Sequence, residues 1–328
     1  MKILVVGCGS IGKRHIGNFK SLGVDDIHAV ETREDRRQEV KSRFGLKNIH
    51  SSLDEALKEN FTAAILCSPT AYHVKQGLQL ASKWTHLMIE KPLADTLEGA
   101  DELHKIVKDK KLVVLMAYPF RFDPSVEKFK SLLESGCIGK ALFIRGEFSE
   151  YLPDWHPWED YRTFYMAKKA QGGGSILDQS HILDLAEWLM GDVESIACIN
   201  DRLSALEVET DDFAEMLVRF RSGTVGSIHT DMLGRSHKKV MEIKGSEGNL
   251  FWDFYTYEVR AYYAAAKKWE IYPFKNDKNQ MYLNESNHFL ECINKGLPSR
   301  SPLEDGIRTM KTLMAAIRAS EKKEVVSI

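Results

Sequence analysis

The chain opens with the short apolar run Lys2-Ile3-Leu4-Val5-Val6 and passes at once into Gly7-Cys8-Gly9-Ser10-Ile11-Gly12. No other stretch limits the fold as tightly. A strand that ends on glycines at this spacing and reopens as a helix makes a sharp turn, lets backbone approach a pyrophosphate, and packs helix closely on strand. The unpaired amides and dipole of the new helix favour an anion. Gly7, Gly9, Ser10, Ile11 and Gly12 are therefore the expected phosphate cradle. Glu31 ends the next apolar run, about 20 residues beyond the glycines, where a carboxylate accepts hydrogen bonds from both hydroxyls of an adenosine ribose. The same carboxylate repels a 2′-phosphate, so the expected cofactor is NAD. Arg33, Arg36 and Arg37 leave NADP open, because each can pair with a phosphate.

Further apolar runs at Ile27–Val30, Ala63–Cys67, Leu87–Ile89 and Leu112–Ala117 are separated by helical stretches. This βαβ rhythm predicts a doubly wound parallel sheet, with helices on both faces. From about Ala141 the pattern becomes strand–turn–strand, with glycine-bearing turns at Arg221-Ser222-Gly223 and Lys244-Gly245-Ser246-Glu247-Gly248. The expected class is α/β: a Rossmann domain over residues 1–121, then a substrate-binding and oligomerisation domain over 122–328 built on an open, mostly antiparallel sheet. A chain of 328 residues is long enough for two such cores.

Lys and Arg number 45 against 47 Asp and Glu, leaving no positive surplus for a nucleic acid backbone. Five scattered cysteines lack the spacing of a zinc or redox motif, and no apolar run is long enough to span a bilayer. The expectation is a cytoplasmic protein with neither nucleic acid nor membrane as partner. Asp154 with His156, and Asp178 with His181, are isolated pairs of possible ligands without a third, so metal independence is expected.

Five segments, in this order, resemble the Gfo/Idh/MocA family: GCGSIGKRH at 7–15, ILCSPTAYH at 65–73, EKP at 90–92, SGCIGK at 135–140 and GGGSILDQSHILD at 172–184. The resemblance implies a Rossmann domain followed by an α/β domain whose outer sheet face joins subunits, giving a homodimer or homotetramer. It places Ser68, Pro69, Thr70 and His73 beside the cofactor, and Glu90 and Lys91 where nicotinamide meets substrate. It makes His181 the acid/base, with Asp178 nearby. The common family pattern separates that aspartate and histidine by four positions; here the separation is three.

The residues support parts of this directly. Lys91 follows an apolar strand at its carboxyl end, where open parallel sheets bind ligands, and its ammonium can donate to a reacting hydroxyl. Asp178 and His181 share a face if one helix carries both. Asp178 also fits a capping box with Ser175. The segment 151–162, with Tyr151, Trp155, Tyr161 and Arg162, has the composition of a sugar-binding surface and equally of a pinned loop. Arg121 is a further substrate-pocket candidate. The expected reaction is hydride transfer between NAD(P) and a secondary alcohol of a sugar, cyclitol or derivative. The alternatives are a glycosidase or lyase of the same family using transient oxidation, and a non-catalytic nucleotide-dependent binding protein.

Overall fold

The structure, a computed structural model, describes residues 1–155 and 157–328. Two compact units are present, one formed by Met1–Pro119 with Asn279–Ile307, the other by Phe120–Lys278 with Arg308–Ile328.

In the first unit six strands, β1 (Lys2–Val6), β2 (Asp26–Val30), β3 (Asn48–His50), β4 (Ala63–Leu66), β5 (His86–Glu90) and β6 (Val114–Ala117), lie in the order β3-β2-β1-β4-β5-β6. Every pairing is parallel. β4 and β6 are buried along their whole length, as strands covered on both faces must be. The connections are α1 (Ser10–Ser21), α2 (Glu34–Phe44), α3 (Leu53–Ala56), α4 (His73–Ser82) and α5 (Ala100–Asp109). β1 and β4 are neighbours although two strands intervene in sequence, which puts the reversal of strand order at the end of β1. Ligands of such sheets bind at that reversal.

The second unit contains α6 (Pro124–Glu134), β7 (Ala141–Tyr151), α7 (Ser175–Asp178), α8 (His181–Met190), β8 (Val193–Asp201), β9 (Phe213–Phe220), β10 (Val225–Asp231) and β11 (Leu233–Gly245). It continues through β12 (Gly248–Asp253), β13 (Glu258–Tyr263) and β14 (Lys268–Pro273). After α9 (Gln280–Lys295) and α10 (Leu303–Lys322), β15 (Val326–Ser327) closes the far edge. The nine strands run β14-β13-β12-β11-β7-β10-β9-β8-β15, antiparallel throughout except where β10 meets β7. β9 shows the alternation of a half-covered sheet: Ala214, Met216, Val218 and Phe220 are buried, while Leu217 is 60% exposed.

A sequence cut at 121/122 leaves 279–307 with the second domain, whereas these residues belong to the first compact unit. The cause is local packing: Asn279 donates to Asn18 at 2.9 Å, the Arg14 guanidinium covers the Tyr282 ring at 4.3 Å, and the Met116 amide donates to the Ser301 carbonyl at 2.7 Å. No helix among the described residues is long and apolar enough to cross a membrane.

Candidate active site

The glycine turn is shaped by close approach. Gly7 has φ +93°, and a Cβ there would lie 2.7 Å from the Cys67 carbonyl oxygen. A Cβ on Gly12 would lie 2.0 Å from the Gly7 oxygen, so α1 can follow β1 this tightly only with glycine at both places. Gly9 is the N-cap of α1 and its residue type offers no capping side chain, so the first amides of the helix receive no side-chain cap. Glu31 is buried, and its carboxylate is held from both sides, accepting from the Cys8 amide at 2.9 Å and the Arg33 amide at 3.0 Å. Arg33 turns its guanidinium to Asp35, at 2.6 and 3.1 Å, and Arg37 donates to the Glu31 and Thr32 carbonyls at 2.7 Å.

Ser68 and Pro69 follow β4, and Thr70 is buried at the start of a short turn. Ser68 donates to Gln76 at 2.6 Å. The His73 imidazole is fully enclosed between two carbonyls, with Nε2 2.8 Å from the Ser68 oxygen and Nδ1 3.0 Å from the Pro92 oxygen. Burial outweighs these two acceptors and lowers its pKa. His73 therefore ties the Ser68 loop to the turn after β5. Glu90 fixes that same turn: its Oε1 lies 2.8 Å from His15 Nε2 and its Oε2 accepts from the Lys91 amide at 3.3 Å. The Lys91–Pro92 peptide bond is cis. α9 brings in Glu285, which sequence reading did not select. Its carboxyl is completely buried, and burial followed by the Glu90 charge pushes its pKa well up.

In the second unit, α7 ends at Asp178 and α8 begins at His181, with the Ser180 amide donating to Leu177 and the Ile182 amide to Gln179. These three-residue bonds separate the two elements, so Asp178 and His181 lie on separate helices and not on the single helix that would put them on one face. Asp178 accepts a hydrogen bond from the Tyr165 hydroxyl. The acid at the start of α7 is Asp211, which accepts from the Ile176 amide at 2.9 Å and the Ser175 hydroxyl at 2.7 Å, where the capping-box reading had put Asp178. His181 is held by rings: Phe148 lies parallel to it at 5.9 Å and Phe120 meets it edge-on at 5.1 Å.

Arg121 is wholly buried and paired with Asp184 through Nε at 2.9 Å and Nη2 at 2.6 Å. That bidentate pair turns the guanidinium into the core and occupies the aspartate three positions after His181. Tyr151, Trp155 and Tyr161 pack on a cluster formed by Leu152, Met166, Ala167, Leu206, Val208 and Met232, while exposed Arg162 pairs with Asp160 and Glu207. These aromatics therefore anchor the loop. His156 lies outside the described residues.

Another polar group in the second unit has no signature in the sequence. Glu150 accepts from Lys239 at 2.9 Å and from the Tyr255 hydroxyl at 2.5 Å, and the Lys239 ammonium lies 4.4 Å from the centre of the Phe148 ring. Lone charged residues on separate strands carry no spacing signal; only the pairing of β7 with β11 brings Glu150 and Lys239 together. Among the described residues, the group of three metal-type side chains is His28, His50 and Glu59, in the first unit.

Residues 1–118 match the model of the oxidoreductase family with an NAD-binding Rossmann fold, and residues 126–251 match the GFO/IDH/MocA C-terminal domain. The chain is 27% identical to myo-inositol 2-dehydrogenase of Thermotoga maritima, over 100% of this chain and 98% of that protein. It is 24% identical to the NAD+-dependent scyllo-inositol 2-dehydrogenase of Bacillus subtilis, over 98% and 93% of the respective lengths. Levoglucosan dehydrogenase in complex with NADH and levoglucosan shares the fold, with a TM-score of 0.90 at 21% identity over 100% of this chain and 99% of that one. The two matches together cover most of the sequence, and this chain belongs to the Gfo/Idh/MocA family of NAD(P)-dependent oxidoreductases.

Proposed function

We propose that the protein oxidises a secondary alcohol of a sugar, cyclitol or sugar derivative, reversibly and with NAD in preference to NADP. The observation that carries this reading is the fixed Glu90-Lys91 turn at the carboxyl end of β5, braced by His15 and His73. Lysine at such a strand end can act on a ligand's oxygen. The preference for NAD rests on Glu31, whose carboxylate is fixed by two backbone amides and would oppose a 2′-phosphate.

The glycine turn, which excludes any Cβ, and the Glu31 carboxylate fit the pyrophosphate and adenosine ribose of a dinucleotide. NAD, when bound, supplies the acceptor for a hydride from the carbinol carbon. Lys91 donates a hydrogen bond to the substrate oxygen and stabilises the negative charge that grows there. His181, steadied by Phe148 and Phe120, takes the hydroxyl proton. Asp178, positioned by Tyr165, supports the charge His181 acquires. Ser68, Pro69, Thr70 and His73 shape the cofactor's surroundings, with His73 acting through the backbone it ties. Glu150, Lys239 and Tyr255 provide charged and hydroxyl groups suited to a polyol, and the loop carrying Tyr151, Trp155, Tyr161 and Arg162 borders that region.

Exposed Leu217, Ile199 and Ile271 on the nine-stranded sheet support a homodimer or homotetramer through that face. The five cysteines, all free thiols, support work in the reducing cytoplasm.

The test mixes the protein with NAD or NADP and a panel of cyclitols, hexoses, anhydrosugars and nucleotide sugars, and follows nicotinamide absorbance. Net reduction of NAD by a polyol supports the proposal. Substrate consumption without net reduction assigns transient oxidation instead, and a panel with neither outcome overturns the reading.

A further inference from the structure

The edge of the six-stranded sheet holds a group of side chains with no part in the chemistry above. His28 projects from β2 and His50 from β3, and both are buried, 4% and 9% exposed. His28 Nδ1 lies 3.3 Å from His50 Nε2. Two nitrogens bound to one tetrahedral metal at about 2.0–2.1 Å stand roughly 3.3 Å apart, so this separation matches ligation as well as it matches a hydrogen bond. Glu59, between α3 and β4, brings Oε1 to 3.9 Å from the same His50 nitrogen, beyond hydrogen-bond range and still within reach of a shared ion.

The surroundings favour a neutral, oriented imidazole. Burial, followed by the Lys2 charge, lowers the pKa of His28. Its outer nitrogen, Nε2, lies 3.2 Å from Asp26 Oδ1 and 3.0 Å from the Asn48 amide. Ligation through Nδ1 requires the ring proton on Nε2, directed at Asp26, with the Asn48 amide turned so that its oxygen and not its nitrogen faces that proton; Asp26 is then the carboxylate that supports a ligating imidazole. Phe61 meets the His28 ring edge-on at 5.2 Å and closes one side. Lys2 is the opposing charge: it pairs with Oε2 of Glu59, leaving Oε1 turned toward the histidines.

We propose that His28 Nδ1, His50 Nε2 and Glu59 Oε1 form a binding site for one divalent transition ion. Two imidazoles and one carboxylate suit Zn2+ or Co2+ and disfavour Mg2+, which prefers oxygen ligands. Ion binding joins β2 to β3 just before Glu31, whose amide donates to the His50 carbonyl at 3.1 Å. Its effect is on the stability of that edge and does not depend on the redox reaction.

The experiment titrates the chelator-treated full chain with Co2+ and with Zn2+, following the visible cobalt bands and the melting temperature. One ion per chain is expected, with a rise in melting temperature that Mg2+ does not reproduce. Glu59→Gln, at a half-exposed position, should weaken binding at least about tenfold while melting like the parent in chelator, and His50→Gln should remove binding. Lys2→Met should tighten binding, because it removes a like charge and releases Glu59. Absence of stoichiometric binding to the parent chain overturns the proposal. So does a Glu59→Gln variant that binds like the parent, which places the ion elsewhere.

Discussion

His73 Nδ1 lies 3.0 Å from the carbonyl oxygen of Pro92, although 19 residues separate them in the chain. With Nε2 on Ser68, the imidazole braces the loop after β4 against the turn that carries Lys91. His73→Ala removes both contacts from a buried site and should cost about 1–3 kcal/mol in denaturant unfolding. Turnover should fall more than KM changes, because the turn next to Lys91 loosens while the glycine cradle is untouched. Parent-like stability and turnover together would show that the brace is idle.

Glu31 is expected to decide between the two nicotinamide cofactors. Glu31→Ser removes the charge proposed to oppose a 2′-phosphate and should lower the NAD to NADP ratio of kcat/KM at least about tenfold. Steady-state rates with each cofactor provide the measurement. An unchanged ratio would place the discrimination on Arg33, Arg36 or another group.

Arg121 and Asp184 form a buried pair, each almost without solvent contact. Asp184→Asn removes the carboxylate that holds this buried guanidinium at two points and should destabilise the protein by about 3–5 kcal/mol. Arg121→Met combined with Asp184→Leu should recover most of that loss, since no lone charge remains buried. Chemical denaturation of the single and double variants reads both numbers. A nearly neutral Asp184→Asn would return Arg121 to the list of substrate-contacting candidates.

Glu187 on α8 gives a stability term with a defined pH window. Burial raises its pKa to about 7, opposed by hydrogen bonds from Thr309 and Thr312, both at 2.6 Å. In the unfolded chain the group titrates near 4.5. Between those values the folded state holds a proton that the unfolded state has released, so stability falls as pH rises through the window. The loss amounts to about 3 kcal/mol by the upper end. Glu187→Gln carries no charge and should flatten this part of the profile. Equal slopes for parent and variant from about pH 4.5 to 7 would refute the assignment.

The first sheet was legible because its signals are local: apolar runs, glycines at fixed spacing and Glu31 near the end of β2 all fall within short windows. The second domain was partly legible. β9 and β10 follow from alternating burial and a glycine turn, whereas β13, β14 and α9 lack a comparable apolar signature. The site divided in the same way. Lys91 stands out by its strand end. Arg121 could not be assigned from sequence, because Asp184, which claims it, lies 63 residues away. Asp178 looked like a cap, although the carboxylate that fills that role, Asp211, arrives from the residues before β9. Glu150 and Lys239 meet through the pairing of β7 with β11, and Tyr255 joins them from the turn after β12, an arrangement that residue spacing does not encode.

The most direct test of the central claim follows deuterium placed on the carbinol carbon of a polyol that reduces NAD. On the proposed reading reduced nicotinamide is released carrying that deuterium, and Lys91→Ala slows the transfer at least about a hundredfold while NAD still binds. Deuterium appearing in solvent, or returned to the product with no labelled nicotinamide released, would contradict the account.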